Sequence, residues 1–226
     1  MLPWTLLDEA RAPDGDTIRL LRRGDEFSIR LKDGNELMNS RLSGSEEALA
    51  SRTIAALDAP ATAHLLVGGL GMGFTLRAAL ADLGPDARVT VSEIVPELAR
   101  WAETHMADLF AGSLADPRVT LHLCDVGALI AESRPSTFDA ILLDVDNGPD
   151  GLTRPGNDRL YAPAGLKSAR RALAPHGILA IWSAHEDSDF ARRLTDAGFT
   201  VRTERVRARK GGRGARHIIW LARRDG

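Results

Sequence analysis

An α/β fold with a mostly parallel, Rossmann-like sheet of seven strands is predicted for this chain, and three observations predict it. From residue 63 onward, apolar runs expected to be strands (64–68, 88–92, 118–123, 138–143, 177–183) alternate with helical patterns (74–83, 96–110, 126–132, 162–173, 187–197). Such a βαβα order implies parallel strands with helices on both faces. Second, the run that starts at His64 ends in closely spaced glycines and feeds a helical pattern, as a strand feeds a nucleotide-binding turn. Third, the chain finishes on two strands, 199–206 and 217–222, joined by a short basic loop. These read as an antiparallel hairpin closing the edge of the parallel sheet.

A small β segment is expected ahead of this domain. The runs 17–22 and 27–32 alternate apolar and polar residues around Arg23-Gly24-Asp25-Glu26, a hairpin signal. Asp33-Gly34-Asn35 makes a second turn, and Glu36 to Asn39 a third short strand. Ser45-Glu46-Glu47 then caps a helix that runs to about Leu57 and is ended by Asp58-Ala59-Pro60. The expected division is 1–44 for the β segment and 45–226 for the Rossmann-like domain.

Composition narrows the function classes. With 226 residues, 44% hydrophobic and 27% charged, the chain suits one large domain with a small appendage. A net charge of −2 gives no electrostatic case for wholesale nucleic-acid binding. The basic stretch Arg207 to Arg216 reads as a hairpin tip, with RNA contact as the alternative. Cys124, the only cysteine, excludes an internal disulfide and a cysteine-based zinc cluster, and its apolar strand places it in the core. The six histidines have no metal-ligand spacing, so no metal site is expected. A basic leader with a long apolar core is missing from the first 16 residues, and no apolar run reaches the roughly 20 residues of a membrane span. A cytoplasmic setting without membrane contact is expected.

The glycines carry the ligand expectation. Gly69, Gly71 and Gly73 spell G-x-G-x-G, whereas the dinucleotide fingerprint would need a small residue at position 74, which is Phe74. That points to an adenosine ligand without a pyrophosphate, foremost S-adenosylmethionine (SAM). Glu93 ends the next strand, where a carboxylate accepts hydrogen bonds from both ribose hydroxyls; a helix N-terminal charge is the other reading. Asp125, ending 119–124 and followed by Val126 at the helix start, can meet the adenine amino group, cap the helix, or do both. Val126 is grouped with the cofactor site.

Asp144 ends the most apolar strand and faces the crevice beside the expected sulfonium. There it can attract a cationic amine and accept its proton. Asp146 is the second candidate catalytic acid, or a residue that orders the loop. The segment 147–163 is long for a βα connection and reads as a substrate lid, with Asp158 and Tyr161 as candidate substrate contacts. Packing at a helix start is the alternative for Tyr161. His185 follows the fifth strand near the crevice or on a surface loop.

The whole layout resembles the spermidine synthase (polyamine aminopropyltransferase) family, within the class I SAM-dependent methyltransferase fold. The resemblance is carried by Glu36-Leu37-Met38 before a capped helix, Gly-Gly-x-Gly-x-Gly-x-Thr-Leu-Arg over 68–77, Glu93, Asp125 and Phe-Asp-x-Ile-Leu-x-Asp over 138–144. It implies Glu93 on the ribose, Asp125 on the adenine, Asp144 handling an attacking amine, and a homodimer. Three positions depart. The loop aspartate that holds the aminopropyl ammonium of decarboxylated SAM in that family is Met72 here. The family's second acid falls at Asn147, with Asp146 as a possible substitute, and its acidic-tyrosine-histidine motif is replaced by Ser45-Glu46-Glu47-Ala48-Leu49-Ala50. Losing a carboxylate opposite a buried ammonium costs about 3 kcal/mol or more. The expectation is therefore alkyl, most simply methyl, transfer from SAM to a small acceptor. Aminopropyl transfer from decarboxylated SAM, a non-catalytic adenosyl-binding protein and an NAD-dependent oxidoreductase are the alternatives.

Overall fold

The computed structural model describes residues 2–12, 15–145, 158–209 and 213–226. Four strands, β1 (Thr5–Arg11), β2 (Thr17–Arg23), β3 (Glu26–Leu31) and β4 (Glu36–Asn39), form an antiparallel sheet in chain order. The β2–β3 hairpin turns through Gly24-Asp25, with Arg23 opposite Glu26. Strand β1 went unforeseen because its Asp8 and Glu9 break the apolar alternation. The pairing register with β2 slips between Leu6 and Asp8, so Asp8 meets other partners. Its Oδ2 accepts from Arg100 Nη2 at 2.6 Å and from the buried Trp101 Nε1 at 2.8 Å. Asp8→Ala leaves that indole N–H unpaired, an expected loss of about 1–3 kcal/mol measurable by denaturant unfolding.

Helix α1 (Gly44–Ala55) leads into β5 (His64–Gly68), α2 (Phe74–Asp82), β6 (Arg88–Glu93), α3 (Pro96–Glu103) and α4 (Ala107–Phe110). These are followed by β7 (Val119–Leu123), α5 (Val126–Glu132), β8 (Phe138–Leu143), α6 (Asp158–Tyr161), α7 (Pro163–Ala172), β9 (Leu173–Ser183), α8 (Ser188–Asp196), β10 (Phe199–Arg209) and β11 (Arg213–Arg224). The helix expected over 96–110 is two helices. The chain breaks at Thr104, whose ψ is −89°, and Met106 turns into the core. Strand β9 starts four residues earlier than expected, because Pro175 and Gly177 sit in a bulge against β8 rather than in a loop. Ser45 does not cap α1; the N-cap position is Ser43, and it makes no side-chain cap.

The large sheet has the order β10-β11-β9-β8-β5-β6-β7, parallel from β9 to β7, with β11 antiparallel to both of its neighbours. The predicted seven-stranded sheet with its terminal antiparallel hairpin is therefore present. Period-2 alternation divides its side chains between two cores. Leu65, Val67, Ala140 and Leu142 face α1–α3 and the small sheet, whose Ile18, Leu20, Phe27 and Ile29 belong to the same cluster. Leu66, Ile141, Leu143 and Leu179 face the opposite way, toward Leu166 of α7 and Phe190 of α8. Chain direction away from the centre of the sheet reverses between β5 and β8, which opens a crevice at their carboxyl ends.

Candidate active site

The turn after β5 begins that crevice. Gly69 adopts φ +90°, and a Cβ there would stand 2.5 Å from the Asp144 carbonyl oxygen, so only glycine lets β5 and β8 finish side by side. Gly71 borders the crevice as well. Gly73 serves packing: a Cβ on it would strike the Phe110 ring at 2.5 Å, and it borders neither cleft described below.

Glu93, 5% exposed, closes β6. Its Oε2 accepts from Leu70 N at 2.9 Å and its Oε1 from Val95 N at 2.8 Å. Burial pushes its pKa up, while the surrounding backbone amides oppose that shift. The amides of Leu70, Gly71, Ile94 and Val95 thus converge on one carboxylate that borders the first cleft. Asp125 is the N-cap of α5, its Oδ1 accepting from Ala128 N at 2.8 Å, and it also borders the crevice. The capping role weighed for it is thus present, at the rim of the crevice. Val126 packs into the crevice wall behind Gly68. Cys124 is half-buried at the crevice edge rather than in the core, because β7 ends at Leu123 and the chain already turns outward.

Two clefts meet here. The first is bounded by Gly69, Glu93, Asp125 and Val126 on the sheet side and by Ile18, Ile29 and Leu31 of the small sheet opposite. It offers acids at one rim and apolar walls for a flat base. The second is bounded by Glu46, Met72, Phe74, Asn39 and Trp182. Leu37, Met38, Gly71 and Asp144 border both. Asp144 therefore sits at the junction, where a group held in one cleft reaches a group held in the other.

Asp144 is held by Thr75, whose hydroxyl donates to Oδ2 at 2.7 Å. Burial raises its pKa to about 6. Glu46, in the first turn of α1, is raised to about 7 by burial and by the negative charge of Asp144. Ser45 Oγ donates to Glu46 Oε2 at 2.7 Å, and His217 Nδ1 lies 2.9 Å from Ser45 Oγ. Glu46 was missed from sequence, where two glutamates opening a helix read as a cap. A carboxyl whose pKa rises on folding adds stability at low pH that is lost as pH climbs through the folded value. Glu46→Gln should therefore stabilise the fold by on the order of 1–3 kcal/mol at pH 8, and far less below about pH 4.5, in thermal melts at the two pH values.

Of the other candidates, Asp146 lies outside the described residues, as does most of the expected lid over 147–163, and the Asp158 side chain is likewise not described. Tyr161 takes the packing role weighed for it: it is buried in the core with its ring edge-on to Phe190. Among the described residues, no cluster of three or more potential metal ligands occurs and no helix is long and apolar enough to cross a membrane.

No protein-family model matches the chain. A polyamine aminopropyltransferase of Mycobacterium tuberculosis is 32% identical over 166 residues, covering 73% of this chain and 30% of that protein. The chain thus spans under a third of the length of the first curated relatives it matches. Among solved structures, spermidine synthase from Thermotoga maritima superposes with a TM-score of 0.73 at 16% identity, over 96% of this chain and 72% of that one. A spermidine synthase in complex with the transition-state analogue AdoDATO gives 0.72 at 17% identity, with the same coverage. The 1,6-didemethyltoxoflavin-N1-methyltransferase of Burkholderia thailandensis, with its substrate and S-adenosylhomocysteine bound, gives 0.57 at 22% identity over 81% of this chain and 80% of that one. In sequence and in fold the chain is spermidine-synthase-like, built on the class I methyltransferase fold.

Proposed function

We propose that the protein is a transferase that binds an S-adenosyl donor in the first cleft and alkylates a small amine in the second. The observation that carries this reading is the position of Asp144, bordering both clefts with a carboxyl buried beside Thr75. In this reading Glu93 takes the ribose hydroxyls, Asp125 the adenine amino group, and Gly69 and Gly71 the aminoacyl end. Asp144 orients the acceptor amine and removes its proton, and a raised pKa suits that task near neutral pH. A second copy of the chain and a cytoplasmic setting belong to the same reading.

Methyl transfer from SAM is the first form of this reading. The side chain at the loop position that would meet an aminopropyl ammonium is the uncharged thioether of Met72. The curated relatives favour the second form, aminopropyl transfer from decarboxylated SAM. Calorimetric titration with each donor separates them. Tighter binding of SAM supports methyl transfer, and tighter binding of decarboxylated SAM replaces it with aminopropyl transfer to a diamine. A protein that binds an adenosyl donor but turns over no amine or hydroxyl acceptor would be an adenosyl-binding protein instead.

A further inference from the structure

The second cleft holds more acid than one base requires. Glu46 and Asp144 both border it, close enough for the charge of one to act on the other, and Thr75 ties the Asp144 carboxylate to the first turn of α1. The Thr75 hydroxyl donates to Asp144 Oδ2 and lies 3.3 Å from the Glu46 carbonyl oxygen. That hydroxyl favours the ionised form of Asp144, and the charge of Asp144 together with burial favours the protonated form of Glu46. Behind Glu46 stands a file of groups with no other assigned task. Ser45 is fully buried and gives its one hydroxyl hydrogen to Glu46, so His217 Nδ1–H donates to Ser45. His217 reaches in from β11, half-buried, with its ring edge-on to Trp182 at 4.7 Å.

We infer that Glu46 is a second catalytic acid of the acceptor cleft, and that Ser45 and His217 are positioning groups that pass the acceptor's proton out of it. The inference rests on the second cleft being the acceptor site. An amine that arrives as an ammonium gives one proton to the carboxyl pair. Its nitrogen lone pair then forms the new carbon–nitrogen bond while the carbon–sulfur bond of the sulfonium donor breaks. That bonding pair goes to sulfur, giving a neutral thioether, and the product leaves as an alkylammonium. One proton per turnover stays on the pair and has to reach solvent. It leaves with His217 entering as the Nε2–H tautomer: Glu46 O–H passes its proton to Ser45 Oγ, the Ser45 hydroxyl proton goes to His217 Nδ1, and the ring releases its Nε2 proton to solvent, which restores the Nδ1–H arrangement. The charged groups facing Glu46 are Asp144 from the end of β8 and Glu47 on its own helix, and His185 faces His217. His185 and partial burial both keep His217 a weak base, which suits a group that must release the proton onward.

The test is steady-state kinetics from about pH 6 to about pH 9, with SAM and with decarboxylated SAM as donors and with putrescine and hexylamine as acceptors. Ser45→Ala should lower kcat roughly tenfold at neutral pH with little change in KM for the amine, and the loss should shrink as pH rises and hydroxide takes over. Ser45→Thr, which keeps the hydroxyl, should restore most of the rate. Glu46→Gln should lower kcat and raise KM for the amine, while calorimetric donor binding stays as in the parent. If Ser45→Ala matches the parent across the pH range, or Thr and Ala are equally impaired with KM raised, the relay is wrong. If the parent binds neither donor and turns over no amine, the reading of the cleft fails, and this inference fails with it.

Discussion

Asp144→Asn is expected to lower kcat by roughly 10²–10⁴-fold, the range for losing a positioned general base. The amide keeps the size of the carboxyl, and its oxygen can still accept from Thr75 Oγ1, so the buried junction between the clefts should stay intact. Donor affinity should be nearly unchanged, because Glu93 and Asp125, not Asp144, hold the nucleoside in this account. The sign with pH follows from the raised carboxyl. In the parent, activity should climb as Asp144 ionises around pH 6, and that rising limb should vanish in the variant. Full turnover by Asp144→Asn would remove Asp144 from the chemistry.

Glu93→Ala should have the complementary signature. Two hydrogen bonds from ribose hydroxyls to one carboxylate are lost, and bonds to a charged group are worth about 1.5–3 kcal/mol each. SAM should therefore bind at least roughly tenfold more weakly by calorimetry. The variant should also melt earlier than the parent, since the Leu70 and Val95 amides lose their partner inside the fold. A folded Glu93→Ala protein that binds SAM as tightly as the parent would contradict the ribose assignment.

The parts of this protein that were legible in its sequence are those whose signal is local. The central strands β5 and β8 are near-continuous apolar runs bounded by turns, which is how a strand buried on both faces must read. Gly69, Glu93, Asp125 and Asp144 stand at strand ends, and the parallel topology alone brings strand ends together. The parts that escaped depend on packing at a distance. Strand β1 was hidden by Asp8, whose partners Arg100 and Trp101 lie more than ninety positions away in the chain. The position of Tyr161 in the chain allows a lid contact or a packing role, and only the turn of α6 sets its ring against Phe190 in the core. Glu46 gave no sign of facing Asp144, because the approach of α1 to the end of β8 is set by the core beneath it. His217 reads as one more residue of an alternating strand, until β11 inserts beside β9 and delivers it to Ser45.

The central claim is that an adenosyl donor lies in the first cleft with its sulfur at the junction marked by Asp144. The most direct test is a crystal structure of the protein grown with S-adenosylhomocysteine. The account predicts both ribose hydroxyls on Glu93, the adenine beside Asp125 and Val126, and the thioether sulfur next to Asp144, facing the cleft that contains Glu46. An adenosyl group seated elsewhere, or a nucleoside that leaves Glu93 bonded only to backbone amides, would contradict it.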